Sequence, residues 1–306
     1  MPETEVQNKE MSAAADTAPF STGTATGVLM VSVIFGYVVT MIFAFAGIMG
    51  SSMDTGKSAG NIIMKFGLLI GTVCFVVPAW WYAGKENKSI RSVFRFNAVS
   101  SHTLIFTVVL SLGLIVVTDT IDKWIAPMIN SYLDSTIGVL SPELMSDRIL
   151  EKMKEEFKIG GWLDGTLLIL AAVFAAGICE EMLIRGMFQG ALEKRMHAAY
   201  AVVVSSLVFS FIHINPWGGI QIFVIAVFLG LIAWRTGSIV PTIIMHALNN
   251  FIVIVFNNLE PETLSWYGDE HHIEPVMIGA GILFSMIGII GLWKSVNNVP
   301  EKKIVS

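Results

Sequence analysis

Charge is what this sequence has least of. Only 14% of its 306 residues are Asp, Glu, Lys or Arg, where a soluble domain carries roughly 25%. With 54% hydrophobic residues and a mean hydropathy of +0.69, the chain reads as an integral membrane protein. A basic excess is missing too. Nineteen Lys and Arg stand against 24 Asp and Glu, which leaves no face for nucleic acid. Cysteine is nearly absent, and Cys74 and Cys179 both sit in apolar runs. They read as packing residues rather than a disulfide or a metal knuckle. There is no Gly-rich phosphate loop, no internal repeat and no cleavable signal. Residues 1–25 are polar, acidic and rich in Ala, Ser and Thr, as in a disordered tail.

What is present is a series of long apolar runs. Eight are of membrane-spanning length: roughly 26–50, 61–83, 102–120, 163–192, 198–214, 218–234, 239–256 and 275–293. The fold expected is an all-α polytopic transmembrane bundle. It divides into a tail (1–25), three N-terminal spans (26–120), an extracytoplasmic segment (121–160), a helical core (161–258), and an outer loop with the last span and a C-terminal tail (259–306). The fourth run exceeds what a bilayer requires, so its first turn lies at the interface or the helix tilts.

Short loops set the orientation. Lys85, Lys88, Arg91 and Arg95 lie in one loop against a single acid. Lys194 and Arg195 follow the fourth span, Arg235 the sixth, and Lys294, Lys302 and Lys303 the eighth. All fall on one side if the spans alternate, which places both termini in the cytoplasm. The acidic loop 257–275 and the segment 121–161 fall opposite. Within that segment SPELMSDRILEKMKEEFKIGG has Ser141 as N-cap, Pro142 at the first helical position and Gly160 as a stop. Met145, Ile149, Met153 and Phe157 recur every four residues, the pattern of an amphipathic helix on the outer surface. Trp80, Trp81, Trp217, Trp234 and Trp293 lie near span ends, as interfacial anchors do.

The fourth span, AAVFAAGICEEMLIRGMFQ from Ala171 to Gln189, carries Glu180, Glu181 and Arg185 inside an apolar run. Ionisable groups at membrane depth are costly, and they face a protein interior or a wet cavity. Glu181 and Arg185 are four apart and share a helix face, so they can pair. Glu180 is rotated by roughly 100° from Glu181 and needs a partner elsewhere. The candidates are His213, four residues after Phe209 in the fifth span, and His246 and Asn250, four apart in the seventh. Asn249 is placed to stand in for Asn250. These groups need one another because hydrocarbon satisfies none of them. The chemistry they suit is hydrolysis. A desolvated Glu serves as general base toward water, an imidazole holds that water or relays its proton, and a His/Asn face donates to an oxyanion. Buried interhelical hydrogen bonding is the plainer account of any one of them; the whole set favours function.

Lesser candidates are Lys65, expected to snorkel at the outer end of the second span, and Asp164, expected to be solvated at the edge of the fourth. His271 and His272 have no partner at metal-ligand spacing. Cys179 has nothing nearby to lower its pKa, so a nucleophilic role for it is weak.

At these residues the sequence resembles the CPBP (Abi) family, which includes the CAAX prenyl endopeptidases and bacteriocin-processing or immunity proteins. The family pattern EExxxR, FxxxH, HxxxN stands here as Glu180-Glu181 with Arg185, Phe209 with His213, and His246 with Asn250. The match covers roughly residues 163–256 and does not extend to the first three spans. The resemblance implies an intramembrane endopeptidase of the glutamate type. Glu180 would activate water with help from His213, His246 and Asn250 would form the oxyanion hole, and Glu181 and Arg185 would support the site. No cofactor is expected; a zinc held by Glu180, His213 and His246 is the alternative, since His₂Glu is a legitimate catalytic zinc shell. The partners implied are the lipid bilayer and a membrane-associated or lipidated peptide, in the cytoplasmic membrane of a prokaryote.

Two other functions compete: a non-catalytic immunity or scaffold protein of the same family, and a transporter with a proton relay. The lack of a repeat between the halves counts against the transporter. One expectation tests the shared site directly. With straight, upright helices, Glu180 in the inner half of its span and His213 at the outer end of the next would differ in depth by roughly 10 Å.

Overall fold

The computed structural model describes residues 20–52, 56–136, 138–141, 145–215, 218–269 and 271–296. Nine helices of ten residues or more occupy them: α1 (Thr22–Ser52), α2 (Gly56–Lys85), α3 (Ser101–Thr136), α4 (Ser146–Glu156), α5 (Trp162–Leu192), α6 (Ala198–Ile212), α7 (Gly219–Thr236), α8 (Val240–Asn257) and α9 (Pro275–Ser295). No strand occurs among the described residues, only an isolated bridge between Gly268 and Ile273. The protein is an all-α polytopic bundle and an integral membrane protein. Seven helices are long and apolar enough to cross a membrane.

The eighth expected span is α6, with 15 residues. At 1.5 Å per residue it rises about 22 Å, short of a ~30 Å hydrocarbon core. Two other boundaries also move. Helix α1 starts at Thr22 rather than Thr26, with Phe20 buried edge-on against Tyr82. Helix α3 runs to Thr136 instead of ending at Thr120, because Pro127 is absorbed within it. The extramembrane segment is therefore helical at both ends. Helix α4 begins at Ser146, not at Ser141, and stops at Glu156, ahead of Gly160. Its start is fixed by Asp134 of α3, whose Oδ1 accepts both the main-chain N–H and the hydroxyl of Ser146 at 2.7 Å. Pro142 lies outside the described residues, as do Trp217, Lys302 and Lys303. The apolar stripe is as expected: Met145, Ile149, Met153 and Phe157 are half-buried, with Phe157 against Leu168, Val173 and Ile254.

Helix α5 is the hub. Its apolar window is 56% buried, against 22% for α1 and 33% for α2, so α1 and α2 present most of their surface to lipid. The α1–α2 hairpin packs on one side of α5, α8 on another, and α6 and α7 close its far end. Helices α3 and α9 meet through small residues. A Cβ on Gly113 would lie 2.4 Å from the Ser285 nitrogen, and one on Gly288 would lie 2.6 Å from Leu110 Cα, the close approach that small residues permit in membranes.

Two pairing expectations are corrected. Lys65 does not snorkel and Asp164 is not solvated; both are buried and form an ion pair at 2.6 Å. Asp164 also accepts the Gly160 N–H at 2.8 Å, and Lys65 donates to the Lys158 carbonyl at 2.6 Å. Lys65 turns inward because a buried carboxylate and a loop carbonyl satisfy it there. Cys74 and Cys179 are both unpaired, and Cys179 is part of the core.

Candidate active site

Helix α5 is not regular. Two π-helical stretches, Ile169–Ala175 and Met182–Phe188, bracket one α-helical segment, Ala176–Glu181, which carries both glutamates. π turns are rare and collect at functional sites. Each stretch also has a main-chain carbonyl captured by a side chain from elsewhere. Asn250 Nδ2 donates to the Ala172 oxygen at 2.7 Å, and Arg95 Nη1 donates to the Arg185 oxygen at 3.3 Å.

Glu181 and Arg185 form the pair their spacing predicts, at 2.9 Å and with no exposed side-chain area. The guanidinium also lies 4.1 Å from the centre of the Phe209 ring and reaches the Ala226 carbonyl at 3.4 Å. Glu181 Oε1 has a second partner, His246 Nδ1, at 3.0 Å. Because the acceptor is a carboxylate already held by Arg185, His246 carries its proton on Nδ1. His213 is fixed in the same sense: its Nδ1 is 2.8 Å from the Phe209 carbonyl, which can only accept. Both imidazoles therefore turn Nε2 toward the same point. Glu180 Oε2 lies there, 3.7 Å from His213 Nε2 and 3.9 Å from His246 Nε2. These distances exceed a hydrogen bond and suit a group held between them. Glu180 Oε2 is buried and has no hydrogen-bond partner among the described residues.

Phe209 is the scaffold beneath this set. Its ring lies 4.5 Å from that of His213 and 5.9 Å from that of His246, besides stacking on Arg185. Glu180 and His213 thus meet, and the expected 10 Å difference in depth is roughly halved. Glu180 lies 12 residues before Leu192 and His213 15 residues after Ala198, a difference of three residues, or about 4.5 Å. The 15-residue α6 starts on the side where α5 ends and is too short to reach the far side, so its last turn stays near the level of Glu180. Helix α8 starts deep for another reason. The Ile239 N–H bonds to the Arg95 carbonyl at 3.1 Å and the Ser238 hydroxyl to the Asn97 carbonyl at 2.6 Å, which brings His246, six residues into α8, to the level of the glutamates.

Asn250 is differently placed from the other three. Its amide nitrogen is committed to Ala172, and its Oδ1 faces Asn249 Nδ2 at 3.4 Å. One amide hydrogen remains for another acceptor. Two neighbours escaped the sequence analysis. Tyr37 of α1 donates its hydroxyl to the Ile212 carbonyl, next to His213. Arg95, which had been placed in an exposed basic loop, folds inward at φ 58°. It bonds to Glu193 at 3.2 Å and to the Ala233 carbonyl at 3.1 Å. Neither shares a helix face or a short spacing with the motif residues, so no local pattern exposes them.

As a metal centre, the donor set is open. Among the described residues, no three His, Cys, Asp or Glu side chains are gathered into a ready-made shell. His271 and His272 lie in the exposed loop near Asp269.

A helical membrane bundle that buries a carboxylate between two tautomer-fixed imidazoles belongs to the class of membrane proteins with an intramembrane polar centre. Residues 162–252 match the family model of the type II CAAX prenyl endopeptidase Rce1-like proteins. That segment spans α5 to α8 and holds Glu180, Glu181, Arg185, His213, His246 and Asn250. It supports membership of the CAAX-protease (CPBP) family and, at the family level, a CAAX-type membrane protease. No curated protein and no solved structure matches the chain.

Proposed function

We propose that the protein is an intramembrane endopeptidase in which Glu180 activates water against a peptide bond of a membrane-associated or lipidated substrate. One observation carries this reading: a buried, unsatisfied carboxylate oxygen at 3.7 and 3.9 Å from two imidazole nitrogens whose other ring atoms are already engaged. A water between them donates one proton to Glu180 and is held by His213 Nε2. As its oxygen attacks the carbonyl carbon, Glu180 takes the proton and the carbonyl oxygen becomes an oxyanion. The remaining hydrogen of the Asn250 amide is one donor to that oxyanion. His246 is a second donor in its doubly protonated form, because its Nδ1 proton is committed to Glu181. When the C–N bond breaks, Glu180 returns its proton to the leaving amine. Glu181, held in place by Arg185, orients His246 and offsets its charge, as a buried carboxylate does for a catalytic imidazole.

By loop charge, both termini face the cytoplasm, with α6 and α7 together returning to the side they leave, since Arg95 bonds both to Glu193 ahead of α6 and to the Ala233 carbonyl at the end of α7. The setting is the cytoplasmic membrane of a prokaryote. The partners are the bilayer and the peptide substrate. A zinc-dependent version is favoured by one feature. A carboxylate and a backbone carbonyl fix the two Nδ1 atoms, as in metal-bound imidazoles. The side chains are not gathered as a shell, however, and the steps above require no metal.

The test is cleavage of a panel of farnesylated and unlipidated peptides by the purified protein in liposomes, with and without a strong zinc chelator. Cleavage that falls by about 10²–10⁴ in Glu180→Gln, the range of general-base contributions, and ignores the chelator is the expected result. Loss with chelator and recovery with zinc moves the three residues into a metal shell. If Glu180→Gln and His246→Ala keep full biological activity in cells, the protein is a scaffold of the same family and not an enzyme.

A further inference from the structure

Tyr37 lies on α1, far outside the matched segment 162–252, yet it bonds to the residue next to His213. Its hydroxyl donates to the carbonyl of Ile212, the last residue of α6. Carbonyls in a helix's final turn have no helical partner, so an external donor there decides where the helix end sits. The chain then reverses abruptly. His213 is the C-cap, and Ile214 follows at φ 48°, a region that β-branched residues seldom adopt and that persists only where surroundings enforce it. Ile214 is itself exposed, so its own side chain does not enforce the turn. The contacts at the turn are the His213 Nδ1 bond to the Phe209 carbonyl, the Ile214 N–H bond to the Phe211 carbonyl at 3.1 Å, the Gly218 N–H bond to Asn215 Oδ1 at 3.1 Å and, from another helix, the Tyr37 hydroxyl. Tyr37 is held in turn: its ring packs edge-on against Phe75 of α2 at 5.4 Å.

We infer that Tyr37 is a positioning residue, whose hydroxyl fixes the turn that carries His213 and so sets the distance from His213 Nε2 to Glu180. The α1–α2 hairpin is then part of the active site and not only a lipid-facing wall. This inference rests on the proposed joint action of Glu180 and His213. A purely stabilising interhelical hydrogen bond predicts something different: a lower melting temperature with the site geometry unchanged in the folded molecules.

The experiment uses the full chain in nanodiscs, labelled with ¹⁵N-histidine, as wild type, Tyr37→Phe, Ile214→Gly and the double variant. His213→Gln and His246→Gln assign the two ring signals. In Tyr37→Phe the His213 ring resonances shift and broaden while those of His246 stay in place. With a quenched farnesylated peptide, kcat falls about tenfold and KM stays within about twofold, as expected for a catalytic group displaced by a fraction of an ångström. Adding Ile214→Gly restores at least about threefold of the loss, because glycine adopts positive φ without steric cost. Unchanged His213 resonances overturn the inference. So does a kcat loss that merely follows the folded fraction and is not restored by glycine. If the wild type does not cleave this peptide, the resonances alone decide the role of Tyr37, and the peptidase reading stands or falls on the wider panel.

Discussion

Helix α5 carries two buried ion pairs, one at its start and one in its second half, and they are unlike in every respect but chemistry. Lys65 and Asp164 meet at 2.6 Å across 99 residues of sequence, joining α2 to the start of α5. Glu181 and Arg185 meet at 2.9 Å across four residues of one helix. The third partner separates their roles. Around the first pair it is loop backbone, Gly160 N–H and the Lys158 carbonyl, so the pair pins a connection. Around the second it is His246 and the Phe209 ring, so the pair aims an imidazole. An ion pair in a membrane protein is thus not informative by itself; what it holds in place is.

The comparison breaks hardest at Arg185. Replacing it with Met leaves Glu181 buried and uncompensated, a loss of about 3–5 kcal/mol. Unfolding in detergent should show a large fall in midpoint, and His246 should lose its fixed tautomer in the same variant. Retention of wild-type stability would mean that Glu181 is neutral in the folded protein. Lys65→Met should cost less, about 2 kcal/mol, because the pair adjoins an open cavity of ≈330 Å³ lined by Asn61, Gly160, Trp162 and Asp164, into which the carboxylate can turn to meet water once Lys65 is gone. The double variant Lys65→Met/Asp164→Leu should recover most of that loss, with cleavage per folded molecule unchanged. A defect in cleavage in that double variant would erase the division of roles.

The smallest effect concerns a third, exposed carboxylate, Asp269, whose one ion-pair contact among the described residues is with the exposed His272 at 3.4 Å. The main-chain N–H groups of His271 and His272 donate to Asp269 Oδ1 at 2.7 and 2.8 Å and hold this exposed carboxyl below its ordinary value. A depressed folded value means that the contribution is present at neutral pH and lost as pH falls through that value. The two amide resonances should titrate together, with a midpoint below the usual aspartate range. A midpoint at or above that range would show that the turn does not hold.

Much of the site was legible because its spacings are local. Glu181 with Arg185, Phe209 with His213 and His246 with Asn250 are each four apart, and helical periodicity places each pair on one face whatever the bundle does. The isolation of Glu180 followed from the same geometry. Lys65 and Asp164 were misjudged because their pairing depends on how α2 and α5 stand together, which no local pattern encodes. The depth of His213 was misjudged because a 15-residue helix was taken to cross the bilayer. Tyr37 and Arg95 were missed because each acts on main-chain carbonyls, which are present at every position and mark none.

By itself, the sequence determined that this chain lives in a membrane, which helices form, and which polar side chains must find partners in them. Hydrophobic burial and helical period are properties of short stretches, and short stretches carry them in full. Only the tertiary structure decided which partners are found. The two π stretches around Ala176–Glu181, the short α6 and the deep start of α8 bring three helices to one level. That level, set by long-range packing, is where Glu180 meets two imidazoles.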